Sequence, residues 1–241
     1  MTQDILDKPA PTAAPNGTAR SDMAAAPRVG FHFAPSIIVL NDPTSIKAEA
    51  INSALTHLHA KHVRDGRRAI ALCAPSSGSG TSYVAANLAV ACALSGINTL
   101  LIDGNLRNPG IDRFITPPGE PAGLKQILSD PACEPTEAIQ ENILPNLSLL
   151  YAGGIAENPQ ELLASRSLNT FLDRCLRDYE ITIVDTPPAN GSADARRFAM
   201  AVRYALLVVR RNDSFVADVR TMADELRTDR ATVIGTFLND Y

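Results

Sequence analysis

The sequence predicts an α/β fold in which a mostly parallel sheet carries helices on both faces. From residue 69 onward, short apolar runs alternate with amphipathic segments, which is typical of parallel strands joined by crossover helices. The runs are apolar throughout, as in LLI, ITIV and ALLVV, and this indicates strands that are covered on both sides. Ligands of such sheets bind beyond the carboxyl ends of the strands, so function is sought in the loops that follow them.

Apolar patterns place the individual elements. A helix is predicted to start at DPTS, residues 42–45, and its apolar face has the 3.6-residue period of an α-helix. That face comprises Ile46, Ala50, Ile51, Ala54, Leu55 and Leu58. Six strands are predicted, at residues 69–74, 99–103, 147–152, 181–185, 204–209 and 232–238. One-faced helical patterns over 168–179 and 216–227 complete the alternation.

The N-terminal part differs from the rest of the chain in composition. Residues 1–35 are rich in alanine, proline and threonine, and such a segment buries too little apolar surface to offset the entropy lost on ordering. We therefore predict a disordered tail over residues 1–35 and one domain over residues 36–241. The N-terminus lacks the apolar segment of a secretory signal, and no apolar run approaches the roughly 18 residues of a membrane span. No direct membrane span is expected.

Charge and cysteine content narrow the function classes. The net charge is −4 and aromatic residues make up 5% of the chain, so binding of nucleic acid by charge or by stacking is not expected. The four cysteines form no CxxC pair, which favours reduced thiols in the cytoplasm over a zinc or disulfide framework. The basic stretch of residues 61–68 is interpreted as a solvated helix end, with contact to a phosphate or a partner as the alternative.

A loop of small residues, 75–81, follows the first apolar run and precedes a long apolar helix. Gly78 and Gly80 permit positive φ angles and leave no Cβ in the way of a ligand. Successive N–H groups in such a loop form a nest for an anion, and the helix adds the positive end of its dipole. The loop is therefore a candidate phosphate site, and a glycine-serine turn without a ligand is the alternative.

The loop departs from the P-loop pattern GxxxxGK[ST] at two positions. The second glycine and Ser82 match the pattern, whereas Pro75 stands at the first glycine and Thr81 at the lysine. Ser82 lies where a hydroxyl would hold Mg²⁺. The fold class expected from this arrangement is a P-loop NTPase-like sheet.

Two predicted strands end on an aspartate, Asp103 in LLIDGNLRNP and Asp185 in ITIVDTPP. Beside a phosphate loop, a strand-terminal aspartate typically serves Mg²⁺, although the same residue type also caps helices and turns. Two of them at carboxyl ends, in the matching chain order, favour the metal role. Asp103 and Asp185 are therefore candidate catalytic residues and, with Ser82, candidate metal-binding residues.

These motifs together resemble the cytoplasmic ATPase-like domain of bacterial tyrosine kinases (BY-kinases) of exopolysaccharide and capsule assembly. That family belongs to the deviant P-loop ATPases, with the division-site and partitioning ATPases. The resemblance covers about residues 45–239 and rests on AANLAVACALSG, LLIDGNLRNP, GLKQIL, NPQELLAS, IVDTPP, LLVVR and GTFLN. It implies ATP and Mg²⁺ as cofactors, with nucleotide contacts from Ser77, Gly78, Ser79, Gly80, Thr81, Ser82, Arg107 and Asn239.

The chain departs from the family pattern at several residues that act in the same mechanism. Thr81 replaces the loop lysine, and losing such a donor costs about 3 kcal/mol, or 100- to 1000-fold in rate. Asn105 stands at the second aspartate of the family's DxD pair and cannot accept a proton. The family's oligomerisation helix has a glutamate and two arginines at three-residue spacing; here Glu49 is kept, whereas Asn52 and Leu55 replace the arginines.

The family's tyrosine-rich C-terminal tail is also not matched, because the sequence ends at Tyr241. Arg107 matches the arginine of the family's LRxP motif and is a candidate to compensate for the lysine. Taken together, the departures predict a degenerate, pseudokinase-like member in which ATP and Mg²⁺ binding is weak or lost.

Three functions are compatible with these sequence features. The favoured hypothesis is a regulatory or scaffolding subunit of a machine that makes and exports a polysaccharide, whether exopolysaccharide, capsule or holdfast-type. Its expected partner is a membrane-spanning Wzz-type co-polymerase that recruits it to the inner face of the membrane, with homo-oligomerisation as a further expectation. The second hypothesis is an active ATP-dependent tyrosine autokinase. The third is a positioning ATPase of the partitioning type, which NPQELLAS and DTPP disfavour.

Overall fold

The computed structural model describes residues 27–63 and 66–240 of the chain. Its strands are β1 (His32–Phe33), β2 (Ala69–Cys73), β3 (Thr99–Asp103), β4 (Ile115–Thr116), β5 (Gln140–Leu144), β6 (Leu147–Leu150), β7 (Ile181–Asp185), β8 (Tyr204–Arg210) and β9 (Thr232–Asn239). Its helices are α1 (Ile38–Asn41), α2 (Ile46–Leu58), α3 (Thr81–Leu94), α4 (Leu124–Ser129), α5 (Pro135–Ala138), α6 (Pro159–Ala164), α7 (Arg166–Asp178), α8 (Asp194–Val202) and α9 (Val216–Thr228).

Seven strands form one sheet in the order β5-β6-β3-β7-β2-β8-β9. Every neighbouring pair is parallel except β5 and β6, so the predicted mostly parallel sheet is confirmed. The six predicted strands are all present, and their ends differ from the prediction by at most two residues. β5 was not predicted, because its sequence QENIL has no apolar run and lies at an edge of the sheet.

Each face of the sheet is covered by helices. α2 and α3 pack on one face, and α4, α6, α7, α8 and α9 pack on the other. The central strands β2, β3 and β7 are buried along their whole length. α3 is buried on nearly all sides, which explains why its sequence is apolar without a polar stripe. No helix within the described residues is both long and apolar enough to cross a bilayer.

The described structure includes part of the segment that the sequence assigned to a tail. Residues 1–26 of the predicted tail lie outside the described residues. Phe31, however, is buried in the core, β1 pairs with β4, and the backbone N–H of Arg28 donates to the carbonyl of Ile143. Residues 28–35, which the sequence assigned to the tail, therefore pack with the domain.

α2 begins where predicted, but its buried face differs in part. The Ser45 side chain accepts a hydrogen bond from the backbone N–H of Ala48 and caps the helix. Ile46 is 91% exposed, and Ala50 is exposed as well. The residues that α2 buries are Ala48, Ile51, Leu55 and Leu58. The buried face thus includes Ala48 and excludes Ile46 and Ala50, so it is rotated relative to the prediction.

The basic stretch packs on the protein more than the sequence predicted. His62 is buried, and its ring lies 4.5 Å from the Tyr204 ring in an edge-on arrangement. Arg67 lies over the same tyrosine ring, and Arg68 donates a hydrogen bond to the carbonyl of Leu176. The interpretation as a solvated helix end is therefore wrong for His62. Residues 64 and 65 lie outside the described residues, as does Tyr241.

Candidate nucleotide site

The order of the strands brings the predicted site residues to one edge of the sheet. β3, β7 and β2 are neighbours, and Asp103 pairs in register with Asp185, which in turn pairs with Leu72. Because all three strands are parallel, the loops that follow them meet at their carboxyl ends. The small-residue loop, residues 75–81, therefore lies beside the loops that follow Asp103 and Asp185.

The backbone of the small-residue loop has the conformation of an anion cradle. Gly78 and Gly80 have φ angles of +81° and +82°, a region that residues with a Cβ rarely adopt. Within the described residues, the backbone N–H groups of residues 76–82 donate no hydrogen bond to the protein. α3 starts at Thr81, so the positive end of its dipole points into the same loop. Unpaired N–H groups and a helix dipole together favour a bound phosphate.

Side chains from three elements hold this loop in place. Ser79 Oγ donates a hydrogen bond to the Ser76 carbonyl at 2.9 Å. Asn239 Nδ2, from the end of β9, donates to the Ser79 carbonyl at 3.0 Å. Arg210 Nη1, from the end of β8, donates to the Gly78 carbonyl at 3.3 Å. Asn239 is buried beneath the loop, so its amide supports the cradle from below.

Ser82 and Asp185 form the part of the site that suits a metal ion. Ser82 Oγ donates a hydrogen bond to Asp185 Oδ2 at 2.5 Å, while Asp185 Oδ1 is buried and has no hydrogen-bond partner in the described part of the chain. Burial raises the pKa of the Asp185 carboxyl well above its ordinary value; the charge of Asp103 adds to this, and the hydrogen bonds from Ser82 and from the Thr186 backbone oppose it.

Hydroxyl and carboxylate oxygens are ligands that Mg²⁺ prefers, so this pair fits Mg²⁺ held by Ser82 with Asp185 behind it. In residues 27–63 and 66–240, no group of three or more His, Cys, Asp or Glu side chains is arranged to hold a metal ion by itself. The remaining Mg²⁺ ligands would come from water and from the phosphates of a nucleotide.

Asp103 has a different environment from the one expected of a metal ligand. Its Oδ1 accepts a hydrogen bond from the Asn105 N–H at 3.0 Å. Its Oδ2 accepts from the N–H groups of Gly110 and Ile111, at 3.0 and 3.1 Å. Burial raises the pKa of the Asp103 carboxyl, and these three hydrogen bonds oppose the increase. In this structure Asp103 therefore shapes the loop that follows β3, which was the alternative that strand-terminal aspartates left open.

Asn105 and Arg107 are likewise engaged by the protein. Asn105 Oδ1 accepts a hydrogen bond from the Asn108 N–H at 3.0 Å, which closes a turn in the loop. Arg107 Nε donates to Asp194 Oδ2 at 2.7 Å, and its Nη2 donates to Oδ1 of the same carboxylate at 3.4 Å. Asp194 is buried, so this ion pair joins the loop after β3 to the start of α8.

A cavity of about 420 Å³ opens over the small-residue loop. Of the predicted residues it is lined by Ser77, Gly78, Ser79, Gly80, Thr81, Ser82, Asn105 and Arg107. Asp103, Asp185 and Asn239 are not part of its lining. The lining also includes residues that the sequence did not single out: Arg113, Phe114, Thr186 and Ser192. Arg113 could have been considered on the ground that it follows the LRNP motif within the same loop.

Comparison with known proteins agrees with this geometry. No protein-family model matches the chain. The chain is 28% identical over 203 residues to the putative tyrosine-protein kinase CapB of Staphylococcus aureus, which covers 84% of this chain and 88% of CapB. The crystal structure of the chimerical protein CapA2B2 superposes with a TM-score of 0.77 at 28% identity, covering 86% of this chain and 90% of that one. In sequence and in fold the chain is similar to the bacterial tyrosine kinases.

Some of the relatives are much longer than the chain. The succinoglycan biosynthesis transport protein ExoP of Rhizobium meliloti is 30% identical over 207 residues, which is 85% of this chain but 26% of ExoP. The chain likewise spans 26% of the putative tyrosine-protein kinase EpsB of Ralstonia solanacearum. It therefore corresponds to about a quarter of these longer relatives and to nearly the whole of CapB.

Proposed function

We propose that this chain is a regulatory or scaffolding subunit of a polysaccharide biosynthesis and export machine, with a BY-kinase fold and a degenerate nucleotide site. The observation that carries the proposal is the small-residue loop, which keeps a phosphate cradle and the Ser82–Asp185 pair but has Thr81 at the lysine position. Thr81 is the first residue of α3 and lines the cavity, yet its hydroxyl brings no positive charge to a phosphate.

The environment of the loop after β3 supports the same proposal. A kinase needs a base that accepts the proton of the attacking hydroxyl. Asn105 cannot accept a proton, and Asp103 is already an acceptor for three backbone N–H groups. Weak binding of ATP and Mg²⁺ is compatible with these residues, whereas efficient phosphoryl transfer is not.

The role in polysaccharide assembly is proposed from the relatives. One of them is named for succinoglycan biosynthesis and transport, and others are named tyrosine-protein kinases. We propose that the chain acts at the inner face of the cytoplasmic membrane, where a membrane-spanning Wzz-type co-polymerase recruits it and where it assembles with further copies of itself. The expected product is an exopolysaccharide, a capsule or a holdfast-type polymer.

Calorimetric titration with Mg-ATP tests the state of the nucleotide site. We expect the wild type to bind weakly and Thr81→Lys to bind about 10- to 100-fold more tightly, because the lysine adds a charged hydrogen bond to the phosphates. Thr56→Lys adds the same charge on an exposed face of α2 and should change nothing. A wild-type dissociation constant below about 10 μM, roughly −6.8 kcal/mol, would contradict a degenerate site.

An active autokinase is the outcome that would replace the proposal. The full chain is incubated with Mg-ATP and the cytoplasmic part of the candidate co-polymerase, and phosphotyrosine is measured by mass spectrometry. We expect none above a Ser82→Ala control. Deletion of the gene should alter the amount or length of the polymer. An unchanged polymer would contradict the role in polysaccharide assembly, whatever the nucleotide result.

A further inference from the structure

Arg113 is a cation beside the small-residue loop whose charge the protein does not use. Its side chain is exposed and lines the same cavity as residues 76–83. In the described part of the chain it makes no ion pair and its guanidinium donates no hydrogen bond. Arg107 lines the cavity too, but both of its contacts go to the buried carboxylate of Asp194. Of the two arginines, Arg113 is the one available to an anion.

The position of Arg113 is fixed by Asp103. The turn Ile111–Arg113 follows directly on the two N–H groups, of Gly110 and Ile111, that donate to Asp103 Oδ2. Ile111 is fully buried, which anchors the turn in the core. A short, anchored turn can hold an arginine near a ligand at a smaller cost in entropy than a long flexible loop.

The same turn lies directly against the metal-binding side of the loop. A Cβ built on Gly110 would lie 3.5 Å from Ser82 Oγ, so the gap between the turn and that hydroxyl is about the size of a methyl group. Phe114 follows Arg113, and its ring stands 6.3 Å from the ring of Tyr83 on the first turn of α3. The turn and the start of α3 therefore form one packed unit, with Arg113 on its cavity side.

A bound polyphosphate needs a positive charge that position 81 does not supply. Arginine binds phosphate strongly because its planar guanidinium offers two parallel N–H donors. We propose that Arg113 takes the place of the missing lysine and binds the phosphates of a nucleoside di- or triphosphate held by the small-residue loop. Asp103 is then a positioning residue that holds the turn carrying Arg113. This inference rests on nucleotide binding by the loop and is independent of the regulatory role.

The test measures Mg-ATP and Mg-ADP binding by calorimetry on the full chain. Arg113→Ala should weaken binding about 10- to 100-fold, and Arg113→Lys should lose less because it keeps the charge. Arg177→Ala is the matched control, since Arg177 is an exposed arginine of α7, which leads into the opposite end of the sheet. In a Thr81→Lys background, Arg113→Ala should cost less than tenfold, because the lysine takes over the same phosphates.

The role of Asp103 is tested by non-additivity. Asp103→Asn should weaken nucleotide binding, and adding Arg113→Ala to it should weaken binding little further, because the turn no longer presents the arginine. If Asp103 only stabilised the fold, Arg113→Ala would weaken nucleotide binding by the same factor in the wild type and in Asp103→Asn. Equal affinities of Arg113→Ala and the wild type, or no binding by the wild type at millimolar nucleotide, would overturn the inference. Neither outcome affects the polymer phenotype on which the proposed function depends.

Discussion

Asp185 is a buried carboxylate whose hydrogen-bonding capacity is only partly satisfied in the folded protein. It is completely buried, only one of its oxygens has a hydrogen-bond partner in the described residues, and Asp103 stands opposite it in the neighbouring strand. A buried carboxylate of this kind stabilises a metal site at a cost to the stability of the fold. We therefore expect Asp185→Asn to raise the free energy of unfolding by about 1–2 kcal/mol at pH 7.

The stability gained by Asp185→Asn should depend on pH. Because burial raises the pKa of Asp185 in the folded state, the folded chain keeps this proton to a higher pH than the unfolded chain does. The cost of ionisation is absent at low pH and grows as the pH rises. The advantage of Asp185→Asn in urea unfolding should therefore shrink as the pH falls toward about 4. Asp173→Asn, on an exposed face of α7, should show no such trend; a gain independent of pH would contradict the argument.

The positions of two site residues could be predicted from the sequence. The apolar runs placed Asp103 and Asp185 at the carboxyl ends of strands, and the structure puts them side by side. The sequence did not reveal how Asp103 is used, because its three partners are backbone N–H groups of a loop whose conformation no side chain specifies. Arg113 was missed for a related reason: its distance from the small-residue loop depends on that same conformation.

At the scale of elements, Asn87 joins the N-terminal segment to the central helix. It is a buried amide in the apolar α3, where its Oδ1 accepts the Ile38 N–H at 2.8 Å and its Nδ2 donates to the Ser36 carbonyl at 3.0 Å. Asn87→Ala would leave both backbone groups unpaired. We expect it to lower the free energy of unfolding by about 2–4 kcal/mol in urea titrations.

Two further variants make this prediction specific. Asn87→Asp keeps the acceptor but places a buried carboxylate against the Ser36 carbonyl, so at pH 7 its loss of stability should be at least as large as that of Asn87→Ala. Asn169→Ala makes the same change on an exposed face of α7 and should alter stability by less than about 0.5 kcal/mol. If Asn87→Ala matched Asn169→Ala, the contact between α1 and α3 would contribute nothing to the fold.

The elements that the sequence missed share one physical cause. β5 is an edge strand and exposes two of its five residues, and the segment with Phe31 has few apolar residues, so neither gives a continuous apolar run in the sequence. The central strands were predicted almost to the residue because burial on both faces requires continuous apolar runs. Periodicity also placed α2 correctly but misassigned its buried face at Ile46, since period alone does not identify the partner helix.

At the scale of the whole molecule, the two packed faces share one sheet and are expected to unfold together. The reactivity of the cysteine thiols can show whether the two faces unfold together. Cys73, Cys92 and Cys175 are buried, and burial raises the pKa of each thiol to about 12. Cys133 is only half-buried, and its pKa is raised by partial desolvation and then by nearby carboxylates.

Labelling of the thiols should therefore separate into two phases. With a thiol reagent at pH 8, we expect slow labelling of Cys133 in the native protein, because the thiolate is the reactive form and little of it is present. The other three cysteines should be labelled only as fast as the whole chain unfolds, with a urea dependence equal to that of circular dichroism. Cys133→Ser should abolish the first phase alone. Labelling of Cys175 before global unfolding would mean that the α7 face opens by itself, and the sheet would then not unfold as one unit.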